Sequence, residues 1–149
     1  MQNLISASLS NQDYQDVLKA IKTIKSKLPF LLKLDDEEKS SISKMGSHQE
    51  AFVEKALQYG KNMPQLLPVL VDIDELKRDL ELYKQVNQIF KELKELTDFV
   101  DDTRYAVSSD AFTVATTIFN VAKMGAKFGK PDPKLNEIVF ELEKLHKGK

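Results

Sequence analysis

Apolar residues recur along this chain in steps of three and four, and no stretch keeps a strict alternation, so the elements it predicts are helices. The first stripe is Tyr14, Val17, Leu18, Ile21, Ile24 and Leu28. Ser10, with Asp13 three residues on, makes a capping-box variant at its start. Pro29 lacks an N–H and restricts Leu28, so the helix ends or kinks there. Phe30, Leu31, Leu32 and Leu34 follow as an apolar connector. A second helix opens at Asp35 and Asp36, where Glu37 and Glu38 meet the orphan N–H groups of a first turn. Its stripe is Ile42, Met45, Gln49, Phe52 with Val53, and Ala56 with Leu57. Gly46 falls inside that pattern and is read as close packing or a weak point within the helix, not a break. Gly60 is read as its C-cap.

Residues 61–71 form a connection that carries Pro64 and Pro68 yet is unusually apolar: Met63, Leu66, Leu67, Val69, Leu70 and Val71. Loops are ordinarily polar and lie on the surface. This one is therefore expected to fold down over the end of a bundle, with room for one turn of helix.

From Asp72 to Met124 the chain runs 53 residues without Gly or Pro. Through its middle, Leu82, Val86, Ile89, Leu93, Leu96 and Val100 are spaced 4, 3, 4, 3, 4, a heptad stripe of the kind that lays helices side by side. The third helix starts near Asp72 to Asp74. A single helix over the whole stretch would be about 80 Å long at 1.5 Å per residue, too long for a compact domain of this size. A break is therefore expected between Thr97 and Thr103, with Ser108-Ser109-Asp110 as a further candidate. The stripe is expected to be filled by packing, so that Leu93→Asp would destabilise severely. The fourth helix carries Val107, Ala111, Val114, Ile118, Val121, Ala122, Gly125 and Phe128, and Gly129 followed by Pro131 ends it. Asp132-Pro133 then makes an N-cap and N1 pair for a last helix with Leu135, Ile138, Val139, Leu142 and Leu145 on one face.

Short connections make neighbouring helices antiparallel. The expected fold is all-α: an up-and-down four-helix bundle with a short additional C-terminal helix, in one domain spanning 1–149. Charge adds little beyond this. Twenty-two basic and 23 acidic side chains leave a net charge of −1, so nothing in the bulk electrostatics points to nucleic acid or an anionic membrane. Most of the charges match the dipole of the helix end they occupy. Asp13 and Asp16 open the first helix, and Lys19, Lys22, Lys25 and Lys27 close it. Lys144, His146, Lys147 and Lys149 close the last one. The chain has no Cys, which excludes disulfides, thiolate metal sites and cysteine nucleophiles. The first five residues carry no basic n-region or long apolar core, so no secretory signal is expected, and no stretch is long and apolar enough to span a bilayer. A cytoplasmic location is the expectation.

Residues that carry chemistry are scarce. A di-iron bundle needs Glu-x-x-His on two helices. Only Glu143 to His146 matches, and His48 flanks its stripe instead of pointing into it. Asp98, Asp101, Asp102 and Asp110 lack the glycine and the spacing of a calcium loop. Asp101 and Asp102 beside Arg104 read more simply as a helix start with a salt bridge. Ser108 and Ser109 have no partner base, and no P-loop or Gly-x-Gly-x-x-Gly occurs. No catalytic, cofactor or metal residue is assigned.

Two features point to an interaction surface instead: the connector, through Met63, Leu66, Leu67, Val69 and Leu70, and the fourth helix, where Ala115, Ala122 and Ala126 leave little side-chain bulk. The alternatives are that the connector caps its own core and that the protein's own fifth helix covers the small residues. The expected function is therefore non-enzymatic protein–protein contact with a protein partner or a second copy. A module for a small apolar ligand is the alternative, and a carboxylate-metal enzyme a distant third.

Ser108-Ser109-Asp110-Ala111, the run from Ile118 to Lys123, and the Gly129-Lys130-Pro131 turn leading into Ile138 to Leu142 together resemble a pattern of short, uncharacterised helical-bundle bacterial proteins. That resemblance covers about 40 residues and contains no catalytic motif. It implies a bacterial origin and a helical bundle, and no activity.

Overall fold

The helices begin and end where local capping chemistry dictates. In the computed structural model, which describes residues 3–148, Ser10 accepts a hydrogen bond from the Asp13 N–H at 3.0 Å and α1 spans Asn11–Lys27, with Leu28 as C-cap before Pro29. Asp35 and Glu38 form a reciprocal capping box at the head of α2, Asp36–Ser41. α3 spans Gln49–Asn62 and is followed by one 3-10 turn, Pro64–Leu66. The Asp72 carboxylate accepts from the Glu75 N–H at 2.9 Å, and α4 spans Ile73–Phe128. Asp132 accepts from the N–H groups of Lys134 and Leu135 and starts α5, Pro133–His146. Among the described residues every regular element is helical and none is a strand. Met1, Gln2 and the closing Lys149 lie outside the described residues.

Three local expectations are corrected. The second predicted helix is two helices, because residues 42–48 leave the helical path. Ser40 and Ser41 turn their hydroxyls back onto the carbonyls of Glu37 and Glu38, Ile42 is extended, and the Gly46 N–H donates to the Gln49 side chain at 2.9 Å. Side chains that bond their own backbone, together with Gly, weaken the helix there. Gly60 is not a C-cap but a buried position in the last turn of α3, where a Cβ would run into Cδ1 of Ile73.

The third correction is the largest. There is no break between Thr97 and Thr103, nor at Ser108 to Asp110: α4 continues through 56 residues, about 84 Å at 1.5 Å per residue. The carboxylates expected to cap a new helix are engaged elsewhere. Asp101 pairs with Arg104 one turn on, its Oδ1 accepting from Nε at 3.0 Å, and Asp110 holds a distant part of the backbone. Without Gly, Pro or a free cap, the helical path is the cheapest one for the backbone.

The chain divides into two compact units, Leu9–Lys94 and Met1–Ser8 with Glu95–Lys149, and α4 contributes to both. In the first unit, Leu80 of α4 is 6% exposed and is the only buried apolar side chain among the described residues. It shares α4's face with Ile73, Leu76, Tyr83 and Lys84, and Lys84 pairs with Glu50 and Glu54 of α3. A different face of α4, with Val86, Ile89 and Leu93, meets Ile21 and Ile24 of α1 and its C-cap Leu28. In the second unit, Leu135 of α5 lies against Gly125 of α4, 3.3 Å from where a Cβ would sit.

The heptad stripe is therefore not filled by packing. Leu82, Leu93, Leu96 and Val100 are all exposed, and Val86 and Ile89 are half-buried. In the first unit α1, which stops at Lys27, lies over part of the stripe with Leu28 and Leu31 just beyond its end.

Candidate functional site

The apolar connector does not plug a core. Pro64 and Pro68 each lack an N–H, and the chain makes two tight turns around them, with Leu67 N–H donating to the Pro64 carbonyl at 3.2 Å and Val71 N–H to the Pro68 carbonyl at 3.0 Å. The second turn places Val69 and Leu70 at its two central positions, where side chains project away from the protein. Val69 is fully exposed and Leu70 is 97% exposed. Leu66 and Met63 are exposed too, and Leu67 alone of this set turns inward, against Gly60. A short apolar cluster thus stands at the tip of a loop.

On α4 the small residues have a partner from their own chain. Ala122, Gly125 and Ala126 are half-buried, Leu135 lies on Gly125, and Ala115 lines a 240 Å³ recess with Phe112, Thr116, Phe119, Leu142 and His146. Small side chains let α5 come close, as ridges settling into shallow grooves. His146 stacks between Phe112 and Phe119, with ring centroids 5.9 and 5.8 Å away. Its ring serves packing at the end of α5. The Thr116 hydroxyl is buried beside it with no hydrogen-bond partner.

The role of Asp110 is one that the sequence analysis missed. Its carboxylate accepts from the N–H of Leu4 at 2.9 and 3.1 Å and from the N–H of Ile5 at 3.0 Å, across more than a hundred residues of chain. Two backbone donors on one carboxylate strap the N-terminal segment to α4, and Ile5 is half-buried there. An aspartate in mid-helix with no basic residue three or four positions away was the only available hint.

In the first unit, two apolar grooves flank the contact of α1 with α4. One, of about 360 Å³, is lined by Ile21, Ile24, Leu28, Val86, Ile89 and Phe90; the other, of about 400 Å³, by Ile24, Leu28, Ile89 and Leu93 with the stems of Lys27 and Glu92. Neither brings a convergent set of polar groups.

Titratable groups form surface ion pairs, not a site. Lys147 lies 3.1 Å from Glu143, and its hydrogen bond and charge hold the Glu143 carboxyl below its ordinary range, with Lys123 adding to the effect. Glu54, with Glu50, raises Lys84, and Glu75 and Asp101 raise Arg78 and Arg104. All are exposed pairs of the kind that contribute little stability. His48 precedes α3 without capping it. Among the described residues, no three His, Asp or Glu side chains gather where they could hold a metal ion, and no helix is long and apolar enough to cross a membrane. Comparison with protein-family models, with curated proteins and with solved structures returns no match for this chain.

Proposed function

We propose that this protein is non-enzymatic and acts by binding another protein chain, through apolar surface that its own helices leave uncovered. One observation carries the reading: among the described residues Leu80 is the only buried apolar side chain, while Leu82, Leu93, Leu96 and Val100 of the α4 stripe and the loop tip at Val69 and Leu70 face solvent. Large contiguous apolar surface is uncommon on monomers and marks contact with a partner. Burial of such surface is worth roughly 25 cal/mol per Å², so a partner that covers it stabilises both chains. A cytoplasmic setting and independence from any cofactor belong to the same proposal.

The test is hydroxyl-radical footprinting of the chain, alone at low concentration and in extract of its native cells. Val69, Leu70 and the α4 stripe should be labelled freely when the chain is alone and protected in extract. Equal labelling in both states overturns the reading.

The α1–α4 grooves favour a second reading, a module that holds a small apolar ligand. Their volumes fall within the roughly 300–1,000 Å³ of ligand sites. Saturable one-to-one binding of a fluorescent fatty acid, lost in Ile89→Glu, would support it. Unsaturable binding would count against it.

A further inference from the structure

In the first unit, two recesses beside α4 join into one. The groove of about 360 Å³ between α1 and α4 reaches Val86 and Phe90. The same two side chains line a further recess of about 560 Å³, which continues to Leu82, Tyr83, Asn87 and Asp79. Together they make a trough along α4 from Asp79 to Leu93, about 21 Å at 1.5 Å per residue. Much of its apolar lining stands in water: Ile21 is 45% exposed, Phe90 61% and Leu93 37%.

Shape and chemistry both favour a hydrocarbon chain as the occupant. The trough is long, and within the groove Lys25 is the only polar side chain; Asp79, Tyr83 and Asn87 are confined to the further recess. A compact polar ligand needs several convergent hydrogen-bonding groups, which the groove lacks, whereas a flexible apolar chain needs none.

Charge selects the head group. Lys25 belongs to a run of lysines on α1, with Lys19, Lys22 and Lys27, while the acidic residues of that helix, Asp13 and Asp16, lie at its other end. Among the described residues none of these four lysines is in an ion pair. A lysine at such a place covers apolar surface with its stem and offers its ammonium to an anion at the rim. The groove on the other side of the α1–α4 contact differs, because Glu92 lines it together with Lys27 and their charges offset. Asp79 repels an anion from the further recess. An anionic head group therefore has one favoured position, beside Lys25.

We propose that the trough binds one long-chain carboxylate, its head group at Lys25 and its tail passing Val86 and Phe90 toward Leu82. This deepens the small-ligand reading and rests on it. The tail covers apolar side chains that the protein's own helices leave in water, and the carboxylate meets an ammonium that has no counter-ion in the chain.

The test compares two amphiphiles of one chain length and opposite charge, laurate and dodecylammonium, each added to the full chain as a monomer below its micellar concentration. Calorimetry should show laurate saturating at one per chain, and NMR should place the shifts at Ile21, Ile24, Val86 and Leu82. Dodecylammonium should bind about tenfold more weakly or worse, since it sets like charge against Lys25. Lys25 is exposed, so Lys25→Glu should keep its helicity by circular dichroism, lower laurate affinity by about tenfold or more and reverse the preference between the two amphiphiles. Lys27→Glu makes the same charge change on the other side of the contact and should leave laurate binding nearly unchanged.

Equal loss in Lys27→Glu, or laurate binding indifferent to Lys25→Glu, would overturn the proposal. So would association with vesicles of phosphatidylcholine and phosphatidylglycerol when monomeric laurate does not bind. The two levels separate cleanly. If laurate and dodecylammonium bind equally and both are lost in Ile89→Glu, the carboxylate assignment falls and the apolar-ligand reading stands. If neither amphiphile saturates, both fall.

Discussion

Leu80→Ala is the sharpest test of how the first unit, Leu9–Lys94, is held together. Leu80 is 94% removed from solvent, as its 6% exposure states, and no other apolar side chain among the described residues is so enclosed. The substitution removes the equivalent of three methylene-sized groups. At about 0.8 kcal/mol per buried group, the transfer loss is about 2.4 kcal/mol. The cavity contribution that carries Leu→Ala changes toward about 5 kcal/mol in tight cores should be small here, because Leu76 and Tyr83 on the same face are only half-buried and can relax inward. The expected loss is therefore about 2–3 kcal/mol, read as a lower urea midpoint of the helical signal with an unchanged slope. Amide exchange should localise it: protons of α3 and of α4 up to about Lys84 should exchange faster, and those of α5 should not. Leu93→Ala is the internal comparison. Leu93 is 37% exposed and should cost less than Leu80→Ala, and Leu93→Asp, whose carboxylate reaches water, should fall well short of the severe loss expected from the heptad pattern alone. If Leu93→Ala costs as much as Leu80→Ala, or Leu80→Ala leaves the midpoint in place, the centre of this unit has been misplaced.

Asp110→Ala should free the N-terminal strap: exchange at the Leu4 and Ile5 amides should rise at least tenfold while the helicity of α4 stays the same, and unchanged protection would show that other contacts hold the segment. Asp132→Ala removes the acceptor for two N–H groups at the head of α5 and should cost about 1 kcal/mol, seen as fraying of Lys134 and Leu135 in exchange; Asp132→Asn should recover most of it. Glu143 should titrate below an ordinary glutamate in a carbon-detected NMR titration, and Lys147→Ala should move it upward; no movement would assign the shift to Lys123 instead. Because the folded-state value is depressed, the Glu143–Lys147 pair is intact above the ordinary carboxylate range and is lost as pH falls through the folded value.

Much of the local structure was legible because its causes are local. Ser10, Asp35, Asp72 and Asp132 each cap a helix within three residues of themselves, and Pro29 and the Gly129–Pro131 turn stop one. The same local logic misled at Thr97 to Asp110, where three possible caps lay in a row and none starts a helix. The argument for a break was that one long helix cannot fill a compact domain, and that presumes the chain buries its own stripe. It does not. Of the candidate surface, the apolar character of Met63 to Leu70 and the small residues of α4 could be read directly, but which of them is covered could not.

What the sequence determined alone is the all-helical class, the starts of α1, α2, α4 and α5, the ends of α1 and α4, and the identity of the apolar stripes, since capping and periodicity act over one or two turns. The tertiary structure decided that α4 is continuous, that α5 takes the Ala122–Gly125–Ala126 face, that Asp110 holds the backbone of residues 4 and 5, and that Val69, Leu70, Leu96 and Val100 stay exposed. The physical reason is that periodicity shows which side of a helix seeks a partner, whereas coverage depends on what lies a hundred residues away or on another chain altogether.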